Sequence, residues 1–262
     1  MPARKDCDAM KVIAIANQKG GVGKTTTAVN LSAALAERGR KVLLIDLDPQ
    51  GHATTAFQVN NVKGTLKDVL DRPEILTDAI HTTVTRNVFI IPGDMNLAEL
   101  ELRSHPFADR TLLLKKIMLN IPASFHYVVI DTPPSLSVLS LNALNSAEFL
   151  IIPITSEFLS LPGLVSMMNL LTRTKAETNP HLKLLGVLLC MYDGRTNLAR
   201  EIVSELEAKF EGRIFETRIP RSVRAAEAPS HGLPITQYAR ANPVAIAYRE
   251  LAAEVERLIT AQ

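Results

Sequence analysis

Between an apolar run at residues 11–17 and a helical pattern at 25–38, the chain reads Lys19-Gly20-Gly21-Val22-Gly23-Lys24-Thr25-Thr26. No other stretch limits the possible folds so strongly. Three glycines in four positions interrupt regular structure where a buried strand ends, and they let consecutive backbone N–H groups turn inward around an anion. The N-terminal end of the following helix adds positive potential at the same place. Strand, glycine turn and helix in this order are the βα unit of an α/β sheet, and the concavity between them suits a phosphate. Within it, Lys24 reaches the β- and γ-phosphates of a nucleotide, and the Thr25 hydroxyl is placed to ligate a Mg²⁺ ion bridging them. Gly20, Gly21, Val22, Gly23 and Thr26 complete the cradle. This ordinary form of the loop leaves Lys19 unexplained.

Downstream, continuous apolar runs at 41–46, 88–91, 127–131, 149–153 and 183–191 are separated by stretches long enough for crossover helices, the pattern of strands buried on both faces. Helices are expected at 25–38 closed by Gly39, and at 107–119, 136–146, 161–174, 197–210 and 243–259, the last with Pro243 in its first turn. Together these predict a doubly wound, mostly parallel sheet with helices on both faces, the fold of a P-loop NTPase. A tail at 1–10 precedes a single domain at 11–262, and no repeat, linker or low-complexity tract divides it.

Two apolar runs end in carboxylates, at the strand ends where α/β sheets bind ligands. Asp131 closes Val-Val-Ile-Asp and suits Mg²⁺, directly or through water. The stiff Thr132-Pro133-Pro134 loop behind it could respond to the γ-phosphate. Asp46 and Asp48, around the end of the 41–46 run, are harder to separate by residue type. Either could face the phosphates.

The loop with its extra lysine, Leu43-Leu44-Ile45-Asp46-Leu47-Asp48-Pro49-Gln50-Gly51, Val129-Ile130-Asp131-Thr132-Pro133-Pro134-Ser135 and Ile219-Pro220-Arg221-Ser222-Val223-Arg224-Ala225-Ala226-Glu227-Ala228-Pro229-Ser230 together resemble the ParA/Soj family of DNA-partitioning ATPases. The likeness runs from residue 11 to about 250. It implies the deviant Walker A type of P-loop, in which Lys19 crosses a dimer interface to the partner's ATP, so that two subunits sandwich the nucleotides. It implies that Asp48 orients the attacking water, leaving Asp46 a structural or outer Mg²⁺ role. Met191, Pro220 and Ser222 would border the adenine, and Arg195 and Arg224 would contact DNA without regard to sequence. Ser222 stands where the family often has Asn, and His52 where it commonly has Asn. The short form of the family, without an N-terminal helix-turn-helix domain, is the match. The resemblance further implies an ATP-dependent homodimer, binding to nucleoid DNA in the cytoplasm, and release by a ParB-like partner that stimulates hydrolysis.

Composition narrows the alternatives. A net charge of +2 on 262 residues is too small to draw the whole surface onto nucleic acid, so DNA contact must come from a local patch. No run approaches the ~18 apolar residues of a membrane span, and the first ten residues lack the apolar centre of a signal peptide. Two cysteines, Cys7 and Cys190, suit a reducing compartment and give no cluster-binding set. That weighs against an iron–sulfur reductase on the same loop. A MinD-like or orphan ATPase positioning a membrane or protein-cluster cargo stays as the alternative, although the Ala-rich stretch 249–262 lacks the basic, bulky amphipathic face a membrane anchor needs. A small-molecule ligase also remains open.

Overall fold

The computed structural model describes residues 10–102, 110–156, 161–210 and 212–262. Six strands fall on the apolar runs: β1 (Lys11–Ile15), β2 (Val42–Asp46), β4 (Val88–Ile91), β5 (Tyr127–Asp131), β6 (Phe149–Thr155) and β7 (Lys183–Cys190). The two-residue β3 (His81–Thr82) escaped the sequence reading, being too short to show a periodicity. It pairs antiparallel with β4 at one edge, and the sheet runs β3-β4-β2-β5-β1-β6-β7 with every other pairing parallel.

Alternate residues of each strand feed two cores. Val12, Ala14, Val128 and Ile130 face one layer, with Leu114, Leu139, Leu164 and Leu206. Ile13, Ile15, Leu44 and Val129 face the other, with Leu31, Leu35, Tyr248 and Leu251. Residues with no polar exposure on either side explain why these strands read as unbroken apolar runs.

Helix α1 (Lys24–Glu37) follows β1 directly, and Arg38 and Gly39 end it, with Gly39 at φ 83°. The C-terminal helix Pro243–Thr260 packs along it, burying Tyr248, Leu251 and Val255. Asn242 caps that helix, its Oδ1 accepting from Val244 N at 2.9 Å. The helix expected at 107–119 occupies Leu113–Met118, and its proposed start at Phe107 lies outside the described residues. Cys7 does as well. The helices expected at 136–146 and 161–174 run Val138–Ser146 and Leu161–Glu177. Isolated parallel bridges, Val187 with Ile214 and Tyr192 with Pro220, hold the segment around Ile219 beside the end of β7.

Candidate nucleotide site

The carboxyl ends of β1, β2, β5 and β7 open into a cleft of about 640 Å³, within the range of small-molecule sites. At one end lie Gly20, Gly21, Gly23, Lys24, Thr25 and Thr26, with Asp48 opposite. At the other end are Met191, Pro220 and Ser222, together with Val223, Val244 and Tyr248. The phosphate-loop residues and the base-bordering residues named from sequence are thus brought into one cavity. Val22 and Lys19 are the exceptions: both border a smaller recess of about 230 Å³, and the Val22 side chain is buried, which leaves only its backbone for the cradle.

Gly21 and Gly23 take positive φ, 73° and 93°, and Gly23 stands at the N-cap of α1 without a side-chain cap. A side chain on Gly23 would be strained by that φ and would pack against Cys190 Sγ, 3.5 Å from an added Cβ. Gly20 does not need the left-handed region; it sits beside Pro134, the second proline of the loop after β5. Because no side chain caps α1, its first amides are left for an anion.

Lys24 is buried and donates from Nζ to Lys19 O at 3.1 Å. Burial lowers its pKa, and the nearby Asp131 and Asp48 charges oppose that shift. Lys19 points elsewhere. It borders the smaller recess with Thr155, Ser156, Met191 and Arg221, and its own N–H donates to Asn17 Oδ1 at 3.0 Å.

The carboxylates separate by their partners. Asp46 and Asp131 are register neighbours at the ends of β2 and β5, both fully buried. Asp46 is engaged: Oδ2 accepts from Thr54 N and Thr54 Oγ1 at 2.8 and 2.7 Å, and Oδ1 from Asp48 N at 3.3 Å. Burial nevertheless raises it to about 6. Asp131 has two buried oxygens without a hydrogen-bond partner of ordinary geometry. Its pKa is raised, first by burial and then by Asp46, while Thr25 and Lys24 act in the opposite direction. An orphaned buried carboxylate beside a threonine hydroxyl supplies the oxygen ligands that a divalent cation takes. Thr25 and Asp131 therefore fit Mg²⁺. Asp48 makes an Asx turn, Oδ1 accepting from Gln50 N at 3.0 Å, and lines the cleft.

Sequence reasoning missed several cleft and support residues. Gly93 closes the carboxylate end, and a Cβ there would lie 2.5 Å from Asp46 O and 2.9 Å from Asp48 O. Its only signal was a Pro92-Gly93 turn after an apolar run. Tyr248 forms part of the cleft wall 224 residues after Lys24 in sequence and approaches Thr27 Oγ1 at 3.3 Å, which periodicity cannot reveal. Cys190 also lines the cleft; burial pushes its thiol up to about 12, so it is a small apolar wall residue.

Arg195 and Arg224 sit on exposed segments beyond the cleft. Arg195 forms a two-pronged ion pair with Asp193, at 2.8 and 2.6 Å. Arg224 meets Glu227 at 3.3 Å and Tyr238 Oη at 3.4 Å. Their side chains are 90% and 61% exposed, and such surface pairs are weak enough to exchange for another anion. Ser222 Oγ accepts from Asn242 Nδ2 at 3.2 Å, so an asparagine amide from a different segment stands beside this position.

A family model described as an AAA domain matches residues 10–184. The sporulation initiation inhibitor Soj of Bacillus subtilis is 41% identical over 247 residues, spanning 94% of this chain and 98% of its own. The chromosome-partitioning ATPase Soj of Thermus thermophilus is 44% identical over 243 residues, 93% of this chain and 94% of its own. Among solved structures, a cobyrinic acid a,c-diamide synthase from Mycobacterium smegmatis, crystallised with ADP and magnesium, superposes with a TM-score of 0.80 at 34% identity, covering 93% of both chains. MinD from Pyrococcus horikoshii with Mg-ADP gives 0.78 at 28% identity, covering 95% and 97%. With the phosphate loop, the paired strand-end carboxylates and the relatives all in agreement, the chain belongs to the Soj/ParA family of chromosome-partitioning ATPases.

Proposed function

We propose that this protein is an ATP-driven DNA-segregation switch. It binds ATP with Mg²⁺ and hydrolyses the γ-phosphate bond; Lys24 and the loop amides neutralise the phosphates, Thr25 and Asp131 hold Mg²⁺, and Asp48 positions the attacking water. The metal supplies charge neutralisation at the bridging phosphates. Asp46 acts behind them, fixing the turn that carries Asp48.

One observation carries the switch: the two loop lysines serve different compartments. Lys24 lines the main cleft, whereas Lys19 borders the recess on the other side of Gly20 and Gly21. A cation placed outside its own nucleotide cleft is suited to the phosphates of a facing subunit. That geometry supports an ATP-dependent homodimer, with each Lys19 acting on the partner's nucleotide. The dimer then binds double-stranded DNA without sequence preference through Arg195 and Arg224, and a ParB-like partner releases it by accelerating hydrolysis.

A membrane-cycling mode has less support. The C-terminal helix spends its apolar face on α1, and no helix among the described residues is long and apolar enough to cross a membrane. The Mycobacterium neighbour, named as a synthase, is less similar in sequence than the two Soj proteins.

Light scattering with Mg-ATP tests the reading. Wild type should pass from monomer to dimer, while Lys19→Ala stays mostly monomeric and still binds nucleotide through Lys24. Normal dimerisation by Lys19→Ala would remove the in-trans role.

A further inference from the structure

An arginine that lines both the nucleotide cleft and the smaller recess has no ion pair among the described residues. Most described arginines of the C-terminal third are matched to carboxylates: Arg195 to Asp193, Arg218 to Glu207, Arg224 to Glu227, Arg249 to Glu37 and Arg257 to Glu216. Arg221 forms no ion pair or hydrogen bond among the described residues. It lines both cavities, a position it shares with Gly20, Gly21 and Met191.

Its backbone is held on both sides. Ile219 N donates to Leu189 O at 2.8 Å, Tyr192 N donates to Ile219 O at 2.9 Å, and Tyr192 bridges Pro220. Ser222 next to it is tied to Asn242. The adjustable part of this residue is its side chain, and the first two glycines of the phosphate loop line the same two cavities. A guanidinium offers a planar fork of donors that matches phosphate oxygens, and it remains charged at any working pH.

We propose that Arg221 binds the terminal phosphate of the nucleotide held in the cleft, so that the segment Pro220–Arg224 distinguishes triphosphate from diphosphate. The inference rests on the ATP reading of the cleft. It also joins that cleft to the DNA surface, because Arg224 lies three residues on, in the short helix Val223–Glu227. A side chain anchored by the γ-phosphate at one end of this segment would orient the exposed arginine at the other.

Calorimetric titration of the full chain with Mg-ATPγS and with Mg-ADP tests this, at protein concentrations where light scattering shows monomer. Arg221→Ala should weaken ATPγS binding about tenfold or more, the scale of a lost hydrogen bond to a charged group, and ADP binding by no more than about threefold. Arg221→Lys should recover part of the loss. Arg221→Gln, of similar length and uncharged, should resemble the alanine variant, and all three should melt as wild type does without nucleotide. Equal weakening of both nucleotides, or no weakening of either, overturns the proposal. Failure of the wild type to bind Mg-ATPγS would instead overturn the function on which it rests.

Discussion

The phosphate end of the cleft and its C-terminal rim are built by opposite means. At the phosphate end, Lys24, Asp46, Asp48 and Asp131 are all buried, and each is fixed by strand register or backbone hydrogen bonds. At the rim, Arg195 and Arg224 are exposed, the first paired with Asp193 and the second with Glu227 and Tyr238 Oη. Charges of the first kind cannot change partner without disturbing the core, because unpaired charge in a dry interior is costly. Those of the second kind exchange partners at little cost. Under the proposed function, the chemistry that needs fixed geometry falls at one end and the attachment that must be made and broken falls at the other.

The largest test of this contrast is removal of a buried charge. Lys24→Ala deletes a buried cation flanked by Asp131 and Asp48, and should lower ATP affinity by about 100-fold or more in equilibrium titration, the cost of breaking a desolvated charge set. An affinity within a few fold of wild type would show that the loop amides alone hold the phosphates.

Asp48→Ala should leave nucleotide binding and dimerisation intact while slowing turnover about 100-fold, as loss of a water-positioning group does. Phosphate release under saturating Mg-ATP measures it. Full activity would shift the role to Asp46, despite the three donors already committed to that carboxylate.

Asp46 itself gives a pH test at the buried end. Its folded pKa of about 6 lies above its ordinary 3.8, so between these values the folded state holds a proton that the unfolded state has lost. The Mg²⁺-free protein should therefore lose stability through this group as pH rises from 4 towards 6, and not regain it at 7. Asp46→Asn removes that dependence, so its stability relative to wild type should increase across the same window in urea unfolding. A difference independent of pH would mean that Asp46 is not protonated in the folded state.

The smallest effects belong to the rim. Arg195→Ala and Arg224→Ala should each shallow the dependence of DNA affinity on salt by about one unit of log–log slope, equally on unrelated duplexes. ATPase activity without DNA should not change. If the double variant still dimerises and binds DNA as wild type does, the DNA surface lies elsewhere, and the rim carries no special role in attachment.

How much was legible follows from the range of the interactions. The βα unit at Lys11–Glu37 could be read because its signals are local: an apolar run, glycines at φ-demanding positions and a helix pattern. Asp131 was legible for the same reason, as a carboxylate at the end of an apolar strand. Tyr248, Gly93 and Asn242 were not, since each acts through a segment remote in the chain. Arg221 was hidden differently. Residue type marked it as one arginine among eight between 191 and 249, and only the folded structure places it at both cavities without an ion pair among the described residues.

The sequence by itself determined the parallel α/β class, the phosphate loop, and the carboxylates that meet it, because strand burial and glycine turns are written in runs of a few residues. Tertiary structure decided how the strand-end carboxylates Asp46 and Asp131 are partnered. Register places Asp46 beside Asp131, and Thr54 then occupies the first while the second keeps two unpartnered oxygens. It also set Lys24 in the main cleft and Lys19 at the smaller recess, a separation that five residues of sequence cannot specify until the backbone turns.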